Sequence, residues 1–87
     1  MSLSTVKDKQ ISSCKILANR YILEKLPIKD QLNIKLFGSW NGVSEASLKI
    51  FIIAVVDRCE SYKAQINGAT SLSFFDSFTM DFSDLTL

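Results

Sequence analysis

The chain has 87 residues, 47% of them hydrophobic, with ten Lys/Arg against nine Asp/Glu and no His. This length suits one small domain, and this composition excludes intrinsic disorder. A net charge of +1 creates no overall field towards nucleic acid or a membrane surface, and the longest apolar run, residues 50–56, falls far short of the roughly 20 residues of a spanning helix.

Ser4 and Thr5 are N-cap candidates for a first helix, residues 5–26. Ile11, Cys14, Ala18 and Tyr21 recur at helical spacing, and Leu17, Ile22 and Leu26 widen the stripe. Lys9, Lys15, Asn19 and Glu24 take the opposite face. Pro27 stops this helix, because the residue before proline avoids the helical region. It also suits the start of a second helix, 28–37, with Ile28, Leu32 and Leu36 four apart.

Gly38-Ser39-Trp40-Asn41-Gly42 is the clearest break in the chain and predicts a short loop whose Trp folds back onto the helices. Ser44 then caps a long helix, 44–67, with Glu45 at its positive end. Val43 and Leu48 form a hydrophobic staple. Leu48, Ile52, Val55, Cys59, Tyr62 and Ile66 follow a four-three alternation without a miss. Gly68 ends the helix as a left-handed cap. The run Ile50 to Val56 is apolar on every side, so this helix needs cover from the C-terminal segment or from a second subunit.

Thr70 or Ser71 caps a short last helix, 71–78, with Leu72, Phe75 and Phe78 inward. Phe78, Met80 and Phe82 then alternate with Thr79, Asp81 and Ser83. That period of two predicts an extended tail over 79–87, serving either as a core flap or as a docking strand.

The two halves differ in charge. Residues 1–43 carry seven Lys/Arg and three Asp/Glu, and residues 44–87 carry three and six. This reads as a basic first helix beside an acidic C-terminal part. Cys14 and Cys59 lie on apolar stripes and read as buried free thiols; a bridge between their helices would need an oxidising compartment. Without a secretory signal, the expectation is reduced thiols and a cytoplasmic origin.

Candidate chemistry is sparse. The lack of His removes the usual general base and the commonest metal ligand. Glu24 and Asp30 flank a proline turn with no nucleophile placed near them. Asp57 and Glu60 read as an exposed charged face with Arg58 and Lys63. Asp76, Asp81 and Asp84 lack the calcium-loop spacing, and Gly38, Gly42 and Gly68 make no phosphate loop. Lys7, Lys9, Lys15, Arg20, Lys25, Lys29 and Lys35 are the only basic series. A DNA reader needs a recognition helix that is polar where helix 44–67 is apolar. No catalytic residue, cofactor or metal is expected.

The stretch 16–34, ILANRYILEKLPIKDQLNI, joins a helix to a second one through a proline step. After a loop come Ala54-Val55-Val56-Asp57-Arg58-Cys59-Glu60, Ala64-Gln65-Ile66-Asn67-Gly68-Ala69 and Thr70-Ser71-Leu72. Over residues 11–82 this order resembles helical segments of bacteriophage tail and tail-fibre-associated proteins and of related prophage proteins. The resemblance implies a structural or assembly role in the virion, a helical hairpin and no catalytic residues.

The expectation is one all-α domain, 1–87, with residues 1–4 as native start or leader. Two long helices form an antiparallel hairpin, with a short corner helix and a short C-terminal helix. Its expected function is structural or protein-interacting, through a protein partner or self-association. Ile50, Ile53, Phe74, Phe78, Met80 and Phe82 are the candidate interaction residues. A small nucleic-acid-binding module using the basic first helix is the alternative, and no membrane partner is expected.

Overall fold

The computed structural model describes residues 2–87. In chain order the elements are α1 (Leu3–Lys25), α2 (Ile28–Phe37), β1 (Ser39–Trp40), β2 (Val43–Ser44), α3 (Glu45–Gly68) and a closing 3-10 turn (Leu72–Asp76). The chain is mostly helical, as expected, but it is not a plain two-helix hairpin with a C-terminal helix.

α1 begins two residues earlier than expected, ahead of Ser4 and Thr5. Ser2 is the cap, its hydroxyl accepting from the Thr5 N–H at 3.2 Å. Ser2, Ser4 and Thr5 all carry capping hydroxyls, and it is Ser2 that has the extended backbone of a cap. Leu3 and Ser4, within the stretch read as native start or leader, lie in α1, and Met1 lies outside the described residues. α1 ends at Lys25, before Pro27. Gln31 then donates to the Leu26 carbonyl at 2.7 Å, satisfying an acceptor freed by the break.

α2 has the expected span but presents an unexpected face. Ile34 is fully buried, whereas Ile28, Leu32 and Leu36 are exposed, Leu36 at 75%. Residues four apart share a row, and here that row lies opposite Ile34. Gly38 closes α2 in the left-handed conformation, φ 81°, its N–H reaching the Ile34 carbonyl.

The expected loop is a β-hairpin. Ser39 pairs with Ser44 and Trp40 with Val43 in antiparallel register. Asn41 (φ 50°) and Gly42 (φ 80°) form the two-residue turn. Positive φ at both central positions is what the right-handed strand twist demands. Trp40 stacks on Phe37 at 5.9 Å between ring centroids, so it does fold back onto a helix.

α3 starts at Ser44 as expected, the Ser44 hydroxyl accepting from the Ser47 N–H at 3.1 Å. Its seam faces α1: Leu48, Val55, Cys59 and Ile66 are buried, with Phe51 beside them. Val43 packs against the same core. The contacts Lys7 to Asn67, Cys14 to Cys59 and Tyr21 to Phe51 run in opposite chain directions, so α1 and α3 are antiparallel. Gly68 has no positive φ. The chain instead leaves α3 straight into extended backbone at Ala69, whose N–H bonds the Ile66 carbonyl.

The last helix is reduced to the 3-10 turn. Ser71 makes no capping bond there, and Leu72 is exposed rather than inward. Four Phe within residues 74–82 favour aromatic packing over a regular helical face. Phe74, Phe75 and Phe78 meet one another, and Phe78 meets Tyr62 edge-on.

Candidate interaction surface

The tail resolves the choice between core flap and docking strand. Its period of two is real: Phe78 and Met80 are half-buried and Phe82 is buried, while Thr79, Asp81 and Ser83 are exposed. Phe82 inserts between Tyr21 and Tyr62, with centroids at 6.2 and 5.7 Å. The two tyrosine hydroxyls then hold the tail's backbone. Tyr21 donates to the Leu85 carbonyl, and Tyr62 donates to the Asp81 carbonyl while accepting from the Asp81 N–H.

Arg58 completes the strap. Its guanidinium bonds the Asp81 carbonyl at 2.9 Å and grips both Asp84 carboxylate oxygens, at 2.8 and 2.7 Å. The bidentate fork holds the Asp84 carboxyl below its ordinary range and raises the Arg58 guanidinium further above its own. Of the candidate interaction residues, then, Phe82 and Met80 serve the chain's own core. Phe74 and Phe78 sit half-buried in the aromatic cluster.

Ile50 and Ile53 lie elsewhere. Both project from α3 on the side away from its seam, 69% and 51% exposed, with Val56 beside them. Two apolar grooves flank this stripe. One is formed by Leu48, Ile52 and Ile53 under Lys35, Glu45 and Lys49. The other runs between α1 and α3, with Ala18, Ile22 and Val56 among its lining residues and Lys15, Glu60 and Lys63 at its edge. The strap covers the opposite side, so a single copy of the chain leaves this side of the helix pair bare.

The exposed row of α2 and its neighbours Phe37 and Trp40 add to the bare apolar surface. The sequence carries a signal for it: α2 has five apolar residues in ten, too many for one side.

The ionisable candidates do not converge. Glu60 binds Lys63 at 2.9 Å, Asp81 accepts from the Ser83 N–H, and Asp57 is exposed. Glu24 lines a shallow cleft beside the tail, whereas Asp30 lies on α2. Among the described residues, no group of three or more acidic or Cys side chains is placed to hold a metal.

Cys14 and Cys59 meet in the core with their sulfurs 3.0 Å apart, both free. Burial, aided by the bond to Cys59, pushes the Cys14 thiol up to about 12. Such a thiol is a poor nucleophile at neutral pH.

No helix among the described residues is long and apolar enough to cross a membrane. No family model matches the chain, and no curated protein or solved structure is significantly similar to it.

Proposed function

We propose that this chain is a non-enzymatic structural or protein-interaction domain, a tail component or tail-assembly protein of a phage or prophage. The observation that supports the reading is the outer side of α3 with its grooves. Ile50, Ile53 and Val56 stand exposed on a helix whose other side already carries a complete core. Contiguous apolar surface of this kind marks interaction sites in soluble domains.

The basic series lends little to a nucleic-acid role. Lys7 is turned to the Asn67 carbonyl, Lys25 lies over the Tyr21 ring and Lys35 pairs with Glu45. Three of the seven cations of the series are thus already engaged within the chain.

Two measurements test the proposal. An apolar fluorescent dye such as ANS should bind the native chain, and light scattering should show association of the chain with itself or with a co-expressed tail protein. A strict monomer that binds neither dye nor tail protein would refute the reading. Salt-sensitive binding to duplex DNA would favour the nucleic-acid alternative, because phosphate contacts weaken steeply with salt. Tail-assembly genes flanking the coding sequence would support the phage assignment.

A further inference from the structure

We infer that the outer face of α3 is a self-complementary interface, on which a second copy of this chain docks antiparallel about a two-fold axis at Ile53. The inference deepens the interaction reading above and rests on it.

α3 carries two stripes. The first, Leu48 to Ile66, faces α1. The second, Ala46, Ile50, Ile53, Asp57 and Glu60, follows the same four-three alternation on the opposite side. Lys49 and Val56 border it. An antiparallel pairing centred on Ile53 sets residue 53−k against residue 53+k. Lys49 then meets the second copy's Asp57, and Ile53 meets itself.

Charge decides the occupant. Lys49 and Asp57 are exposed, and neither takes part in the ion pairs of the described residues, Lys35–Glu45, Arg58–Asp84 and Lys63–Glu60. They lie eight residues apart, about 12 Å along the helix, too far to pair within one chain. A two-fold axis at Ile53 pairs both at once, as an isologous contact requires. A parallel pairing in register would set Lys49 on Lys49 and Asp57 on Asp57.

Shape agrees with charge. The groove of Leu48, Ile52 and Ile53 beside the stripe offers the second copy's Val56 a seat.

The test combines light scattering with disulfide trapping. Wild type should be a dimer that dissociates on dilution. Lys49→Glu or Asp57→Lys alone should weaken it about tenfold or more by placing like charges together, and the double exchange should restore it to within about threefold. Ile53→Cys should form an intermolecular disulfide on mild oxidation with a small-molecule disulfide, which is reduced to its thiol as the two sulfurs join. Wild type is the control, because Cys14 and Cys59 are buried.

A chain that binds apolar dye yet stays monomeric would overturn this inference and leave the interaction reading standing. So would a dimer indifferent to the charge exchanges, or one in which Ile53→Cys fails to cross-link itself.

Discussion

Ile34 and Leu36 are two residues apart on one helix and opposite in environment, 0% and 75% exposed. Truncating a fully buried Ile removes its transfer energy and leaves a cavity. Ile34→Ala should therefore cost about 2–5 kcal/mol in urea unfolding, while Leu36→Ala should stay within about 0.5 kcal/mol. Effects in the reverse order would mean that α2 is docked by the other face. The Cys14 thiol offers a second check. Its folded pKa lies above the ordinary 9.0, so folding favours the protonated form. That contribution is fully present below pH 9 and is lost as pH rises towards 12, because the unfolded chain ionises first. Wild type should lose stability over that window more steeply than Cys14→Ala, by urea titration at successive pH values. The burial of both cysteines was legible from their stripes. Their meeting was not, since it depends on the register of α1 against α3.

At the scale of elements, turn chemistry and tail anchoring carry the predictions. Gly42 sits at φ +80° with nothing within 4 Å of an added Cβ. Gly42→Ala should thus cost about 1–2 kcal/mol for backbone conformation alone, with no clash to relieve; Tm and amide exchange around Ser39–Ser44 would report it. Asn41-Gly42 between short strands is itself a strong hairpin signal, so the hairpin was readable from the sequence as a turn type as well as a break. The strap depends on the Asp84 carboxylate. Because Arg58 lowers its pKa from 3.8, the strap's contribution is present above that value and is lost as pH falls through and below it. Asp84→Asn should speed amide exchange over residues 80–85 at neutral pH and flatten the acid limb of the stability profile. Exchange unchanged in the variant would show that Phe82 and the tyrosines hold the tail unaided.

Across the whole molecule, elongation is the governing fact. The chain measures 49 × 18 × 15 Å with a radius of gyration of 15.7 Å, against about 12 Å for a compact domain of this length. α2 and the hairpin extend the helix pair instead of folding across it, and the strap covers only one side. Ile53→Glu, which places a charge on the bare stripe, should give a folded monomer. Small-angle X-ray scattering of that variant should return a radius near 15.7 Å; a value near that of a compact sphere would contradict the arrangement.

Local rules determined much of this protein from sequence alone. The proline break, the Ser44 cap, the uninterrupted seam of α3 and the alternation of the tail all report on neighbours within a few residues. Tertiary structure decided which side of α2 faces inward, that the Phe-rich tail closes the chain's own core, and that Ile50 and Ile53 stay outside it. The reason is that a helix apolar on several sides specifies how much must be covered and not by what. The choice falls to distant partners such as Tyr21, Tyr62 and Arg58, whose placement exists only once α1 and α3 have packed.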